Sequence, residues 1–201
     1  MNREKENLKI IQSTKTERLK KRFDFIDDNI LKENVVINMQ YITFLYSLER
    51  KYKLPGATTY SAFKTIILYT ASIVESLLNY KLKELIEKGE IESNKIMTTE
   101  EKYIYIADLY SISSEEKICG VKKVKKHKQL DNKTIFLDLN KAAKRCGLFN
   151  EQLFKKSEKI RKMRNKIHLA ALTEIDNKYS QSDIDNVFKI TKDIIDRIEN
   201  Y

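Results

Sequence analysis

The sequence contains few residues that end or bend regular secondary structure. Its 201 residues include four glycines, one proline and no tryptophan. A strand-rich fold needs tight hairpins, and these turns favour Gly, Asn or Asp at backbone angles that other residues adopt poorly. We therefore expect long helices and an all-α fold. With 41% hydrophobic residues, the chain can bury one core, and two full domains are not expected.

Cysteine and histidine are also scarce. Cys119 and Cys146 are isolated in the sequence, no Cys-x-x-Cys pair occurs, and the chain has two histidines. Neither a disulfide framework nor a zinc site is expected, and no cofactor is predicted. The charged N-terminus leads into no long apolar run, and no stretch approaches the roughly 18 apolar residues that cross a bilayer. The sequence therefore predicts a cytoplasmic protein without membrane insertion.

The chain is basic, since 39 Lys and Arg outnumber 29 Asp and Glu and give a formal net charge of +10. An excess of this size on a small chain favours polyanionic partners, nucleic acid before a membrane surface. The alternative is that the lysines simply solvate the outer faces of helices. Charge alone does not decide between these interpretations.

Residues 1–55 predict a basic, helical N-terminal extension. Residues 1–22 contain eight basic and three acidic side chains, and apolar residues recur at helical spacing over 35–52. Leu54, Pro55 and Gly56 then end this helix, because Pro and Gly interrupt regular structure. We expect a boundary at that point.

Residues 56–201 predict a helical bundle with a basic insertion around 112–130. Glu75 lies in the middle of its most apolar helix, where an unpaired carboxylate is costly to bury. We therefore expect a cationic or hydrogen-bonding partner for Glu75. The first predicted helix of this bundle begins at Thr58 or Thr59 and ends at about 88. A shorter helix follows a capping box at Thr98 to Glu101 and contains Tyr103, Ile106 and Leu109. Three further helices are predicted over 134–148, over 151–172 with Asn150 as its cap, and from Ser182 or Asp183 to the end of the chain. Four aromatic residues are expected in the core: Phe63, Tyr69, Tyr103 and Tyr105.

The segment from Arg164 to His168, late in the helix predicted at 151–172, carries the clearest candidate chemistry. On a helix, Arg161, Arg164 and His168 fall within about 60° of one another. Arginine offers fixed donors to phosphate oxygens, and histidine can transfer a proton near neutral pH. His168 would act as base or acid in phosphodiester cleavage without a metal, while an arginine stabilises the phosphorane. Asn165 would orient the imidazole or the phosphate.

The alternative for this segment is structural. Cations near the C-terminus of a helix are favoured by the helix dipole, and the seven basic residues between 155 and 166 would then form a solvated face. Under the functional interpretation, Lys162 and Lys166 are candidates for contact with RNA.

Residues 58–200 resemble the HEPN superfamily of small helical bundles. In that superfamily an Arg-x4–6-His motif, often begun as Arg-Asn, marks metal-independent endoribonucleases of defence systems. The similar features here are the helical stretch 71–78 around Glu75, the helix end at 142–148, the Arg164 to His168 segment and a terminal amphipathic helix.

The resemblance implies a homodimer in which the two motif helices face each other across one basic cleft, with Glu75 paired to a motif arginine. It also implies RNA hydrolysis that leaves a cyclic phosphate. Such a protein would act as bacterial abortive-infection proteins or toxins do, attacking the tRNA, mRNA or rRNA used in translation, with a phage protein as a candidate activator. The alternative is a non-catalytic helical dimer that binds RNA, the ribosome or a phage protein.

The motif spacing leaves the catalytic arginine open. Arg164 and His168 enclose three residues, whereas Arg161 and His168 enclose six, and only the longer pair has the superfamily spacing. The arginine of the motif is therefore Arg161, Arg164 or neither.

A second basic cluster, residues 122–128, contains five lysines and His127. Lysines of this kind attract phosphate without reading sequence. Because no aromatic residue is interleaved with them, a solvated insertion is the favoured interpretation. The candidates for RNA contact in this cluster are Lys122, Lys123, Lys125 and Lys126.

Overall fold

The computed structural model describes residues 16–167 and 179–201. The described residues form helices and a two-stranded antiparallel sheet, so the expectation of an all-α fold is wrong. The elements are helical backbone at 16–22 (α1), α2 (Asn29–Tyr52), α3 (Gly56–Glu87), α4 (Ser93–Ile96), β1 (Thr99–Ser111), β2 (Lys117–His127), α5 (Phe136–Arg145), α6 (Glu151–Asn165) and α7 (Gln181–Glu199).

The long helix α3 lies at the centre of the bundle and packs against α2, α5, α6 and α7. By length and composition alone α3 is apolar enough to cross a membrane, and 56% of its most apolar stretch is buried inside the protein. Twelve of its residues are buried, including Ile66, Val74 and Leu77. Each large apolar side chain removed from water contributes roughly 1.5–3 kcal/mol, so α3 anchors the core. Its apolar character therefore matches its position as a core helix.

The described part of the N-terminal extension belongs to the same core. Phe23, Ile26 and Val36 are buried in one cluster with the α3 side chains. Asp28 caps α2, because its carboxylate accepts hydrogen bonds from the backbone N–H groups of Ile30 and Leu31 at 2.9 and 3.0 Å. Residues 1–15 of the predicted N-terminal extension lie outside the described residues.

Helix ends agree with the sequence signals in part. The Asn150 side chain caps α6 by accepting from the Leu153 N–H at 2.8 Å, as predicted. Gly147, with φ +82°, follows α5 in the left-handed conformation that glycine favours. Two predicted starts are wrong: α3 follows Pro55, with no side-chain cap from Thr58 or Thr59, and α7 is capped by Ser180, which forms a capping box with Asp183.

The segment predicted as a helix from Thr98 to Leu109 is instead the first strand of a long hairpin, and the basic insertion supplies the second strand. β1 and β2 pair from Thr99 with His127 up to Ser111 with Lys117. The alternation of Tyr103, Ile104, Tyr105 and Ile106 explains the error, since aromatic and β-branched residues favour a strand. The turn needs no glycine, because the Ser113 hydroxyl accepts from the N–H groups of Glu115 and Glu116.

The hairpin packs on itself and leaves its side chains in solvent. Tyr103 and Tyr105, both expected in the core, are 63% and 58% exposed. Of the other two aromatic predictions, Phe63 is buried and Tyr69 is partly exposed. Tyr103 and Tyr105 are exposed because the backbone groups of the hairpin bond across the two strands, and the hairpin makes no extensive contact with the described helices.

Candidate functional site

The candidate site lies along α6, which packs against α3, α5 and α7. Ser157 and Ile160 are the buried residues of α6. The charged residues of interest lie next to this buried strip. Arg161 pairs with Glu158, whereas Arg164 pairs with Glu75.

Arg161 is part of a hydrogen-bonded network with Glu158, one turn earlier on α6. Its Nε donates to both carboxylate oxygens of Glu158 at 2.9 and 3.0 Å, and its Nη2 donates to Oε2 at 2.8 Å. Asn140 of α5 donates from Nδ2 to the same carboxylate at 2.7 Å. The Ser157 hydroxyl in turn donates to Asn140 Oδ1 at 2.7 Å. Asn140 and Ser157 are completely buried, so the network ties α5 to α6.

The network changes the acidity of its charged members. Burial is the largest single influence on Glu158 and raises its pKa, but hydrogen bonds from Arg161 and Asn140 together outweigh burial and bring the pKa below its ordinary value. The hydrogen bond to Glu158 raises the pKa of Arg161. Both side chains are therefore charged at neutral pH, and they form an ion pair.

Arg164 pairs with Glu75, the single acid in the apolar middle of α3. The distance from Arg164 Nη2 to Glu75 Oε2 is 3.4 Å, and the side chains are 33% and 23% exposed. This contact confirms the expectation that Glu75 has a cationic partner. It is one long contact, whereas Arg161 makes three short ones, so the Arg164 guanidinium retains donors that a phosphate could use.

The described part of α6 ends at Asn165, earlier than the predicted end at 172. The last turn is tight, because the Ile167 N–H donates to the Arg164 carbonyl three residues earlier at 3.2 Å. His168 lies outside the described residues, so its position relative to Arg161 and Arg164 stays a prediction. The described chain continues at Tyr179, and its hydroxyl donates to the Met163 carbonyl at 3.2 Å. The Tyr179 side chain therefore lies against the last turn of α6.

Three further predicted residues lie at this end of α6. Lys162, Asn165 and Lys166 are exposed. Together with Arg164 they place positive charge and the exposed amide of Asn165 at the C-terminal end of α6. This arrangement can attract and orient a phosphate group.

The lysines predicted to bind RNA from the 122–128 cluster are on β2 and are not brought to α6, since the hairpin makes no extensive contact with that helix. Lys123 pairs with Glu101 across the hairpin at 2.7 Å. In the described residues, no ion pair holds Lys122, Lys125 or Lys126.

Sequence reasoning missed Glu158, Asn140 and Ser157. A signal for Glu158 was present, because a Glu three residues before an Arg on a helix commonly pairs with it. Nothing marked Asn140, which stands among apolar residues of α5. No group of three or more His, Cys, Asp or Glu suited to holding a metal ion occurs in 16–167 and 179–201.

Comparison with known proteins adds no relative. No protein-family model matches the chain, and neither the curated proteins nor the solved structures gave a match. The functional interpretation therefore depends on the residues described above.

Proposed function

We propose that this protein acts on RNA and cleaves it without a metal ion at the C-terminal end of α6. The observation that carries the proposal is the pair between Arg164 and Glu75. Glu75 holds the guanidinium in place from the rigid central helix, while one third of the Arg164 side chain remains accessible. Arg161, whose Nε and Nη2 donate to Glu158, is a structural residue in this proposal.

In the proposed reaction the ribose 2′-oxygen attacks the neighbouring phosphorus, so that a P–O2′ bond forms and the P–O5′ bond breaks. The 2′-hydroxyl loses its proton and the departing 5′-oxygen gains one, which leaves a 2′,3′-cyclic phosphate and a 5′-hydroxyl. His168 carries one of these proton transfers, since imidazole titrates near neutral pH. Arg164 stabilises the negative charge that develops on the phosphorane, and Asn165 orients the phosphate.

The test is incubation of the purified protein with total cellular RNA in EDTA, followed by analysis of fragment end groups. Wild type is expected to produce cyclic phosphate ends, and His168→Ala and Arg164→Ala to lose at least about 100-fold in rate. Lys155→Ala is the matched control, because it removes one positive charge from the exposed side of the same helix. Cleavage by wild type that EDTA abolishes, or cleavage that survives both substitutions, would contradict the proposal.

In the cell, we propose a role in host defence or growth arrest through attack on RNA used in translation. The support is the resemblance of the α3 and α6 segments to the HEPN superfamily together with the basic surface at the end of α6. Induced expression of wild type should stop growth and protein synthesis, whereas His168→Ala should be harmless at the same protein level. Equal toxicity of the two proteins would remove this role for His168.

A second candidate function is RNA binding without cleavage. The exposed side chains of Lys162, Asn165 and Lys166 favour it, because they can hold a phosphate backbone without any proton transfer. Binding that weakens with salt, leaves the RNA intact and survives loss of Arg164 and His168 would select this function.

A further inference from the structure

The β1–β2 hairpin, here called the arm, makes no extensive contact with the helices of residues 16–167 and 179–201. A strand of this length spans about 40 Å, and an isolated two-stranded hairpin is marginally stable in water. Nine large apolar side chains of the arm are 49% to 67% exposed, which is unusual for a monomer surface. They are Tyr103, Ile104, Tyr105, Ile106, Leu109, Tyr110, Ile112, Ile118 and Val121.

The apolar residues are centred on the middle of the arm. There Ala107 pairs with Gly120, the two smallest residues that face each other in the hairpin. The register places Ile104 and Ile118 on the same face as Gly120, and Leu109 lies against that glycine, 3.7 Å from where a Cβ would stand. The Leu109 side chain therefore covers Gly120, and Ile104, Leu109 and Ile118 form an apolar patch on this face. Tyr103, Tyr105 and Val121 lie on the opposite face.

Charge is distributed unevenly along the arm. We divide it into a tip half, 106–120, and a base half, 99–105 with 121–127. In the tip half Lys117 pairs with Asp108 at 3.0 Å, which leaves the charges of Glu115 and Glu116. In the base half Glu100 and Glu101 pair with Lys102 and Lys123. No ion pair holds the other three lysines of the base half within the described residues: Lys122, Lys125 and Lys126.

We propose that the arm binds the arm of a second copy of this chain, face to face and antiparallel. In that arrangement each acidic tip lies against the basic base of the partner arm, and the apolar patches around Leu109 and Ile118 meet. The apolar face then supplies the buried middle of an interface with charged ends, as in stable complexes that bury about 800 Å² on each partner. A two-fold axis makes such a surface self-complementary.

A second copy fits this surface better than RNA does. RNA would use the lysines of the base half but would meet Glu115 and Glu116 at the tip, and it would leave the apolar face unfilled. The proposed arm contact also differs from a dimer through the α6 helices, and it does not depend on ribonuclease activity.

Charge reversal at one end of the full-length chain tests the proposal. The tip-reversed protein carries Glu115→Lys and Glu116→Lys, and the base-reversed protein carries Lys122→Glu and Lys126→Glu, two lysines on the same face as Ile104 and Gly120. Each is expected to raise the dissociation constant for self-association roughly tenfold or more in sedimentation at low salt, because like charges meet at both ends. Mixing the two proteins is expected to restore association, since the reversed tip of one then faces the reversed base of the other.

The control is Lys155→Glu with Lys159→Glu on α6, which makes the same charge change as the base-reversed protein and should leave arm association unchanged. Circular dichroism should show that all variants keep the helical fold, since the arm packs on itself. A wild-type chain that stays monomeric at high concentration, self-association that neither reversal weakens, or failure of the mixed proteins to associate would each overturn the proposal. A monomer whose arm variants lose only RNA binding would overturn it as well.

Discussion

Glu158 accepts three hydrogen bonds from Arg161, one turn further along α6, and a fourth from Asn140 of α5. Arg161, which has the longer spacing to His168, therefore supports the carboxylate through which α6 is joined to α5. Within the described residues Arg164 makes one ion-pair contact, to Glu75, and we propose it as the arginine that binds phosphate. The sequence did not distinguish Arg161 from Arg164, and their different acidic partners in the structure do.

The first prediction contrasts these two arginines. Arg161→Ala should lower the free energy of unfolding by about 1–3 kcal/mol, because Glu158 loses its charged partner in a partly buried network. Arg164→Ala should lower it by about 1 kcal/mol or less, while RNA cleavage is lost. Urea denaturation of both variants beside the cleavage assay measures the contrast. A stable Arg161→Ala protein without cleavage would assign the catalytic role to Arg161 instead.

The second prediction concerns pH. The pKa of Glu158 is lower in the folded protein than in the unfolded chain. The unfolded chain therefore binds the proton more readily, and the stabilisation by Glu158 is fully present above the unfolded pKa, about 4.3. It is lost as the pH falls through the lower folded pKa. Glu158→Gln should be less stable than wild type at pH 7, and the difference should shrink towards pH 3.

Thermal unfolding between pH 7 and pH 3 checks this expectation. Arg161→Gln serves as the second variant, because it removes the hydrogen bonds that lower the Glu158 pKa and should flatten the same part of the curve. Curves for wild type and Glu158→Gln that run parallel over the whole range would show that Glu158 does not contribute in this way.

The third prediction tests whether Arg164 compensates Glu75. Arg164→Met removes the cation and leaves the carboxylate of Glu75 among the buried residues of α3, whereas Arg164→Met with Glu75→Gln removes both charges. The double variant should be the more stable of the two, because a carboxylate without its partner costs more than the absence of the pair. A double-mutant cycle should give a coupling of about 0.5–1 kcal/mol. Strict additivity would contradict the pairing.

Periodicity and helix signals in the sequence predicted most of the helical bundle. The apolar stretch around Val74 identified α3, Asn150 identified the start of α6, and Glu75 was correctly expected to have a partner. These features are local, or follow from the cost of burying one charge. The network of Asn140 with Glu158 could not be predicted in the same way, because it depends on how α5 and α6 meet in space.

The hairpin was missed for a different reason. The scarcity of glycine excluded tight two-residue turns, but a turn closed by the Ser113 hydroxyl needs none. Thr98 to Glu101 also matches the capping box pattern of a helix start, whereas the alternating Tyr and Ile residues from Tyr103 to Ile106 favour a strand. When local patterns compete in this way, pairing with a distant strand decides whether the segment forms a helix or a strand. Here the distant strand segment is Val121 to His127.

The fourth prediction is that the bundle folds without the arm. The Lys128 N–H donates to the Thr98 carbonyl at 2.9 Å, so the two ends of the arm lie side by side and an Asn-Gly link can replace 99–127. Because the arm packs on itself, its removal should change the free energy of unfolding by about 1 kcal/mol or less. Urea denaturation followed by circular dichroism measures this, with the full chain under the same conditions as the control. A loss of several kcal/mol would mean that the bundle depends on the arm, whereas a stable truncated protein that still cleaves RNA would separate the α6 site from the arm completely.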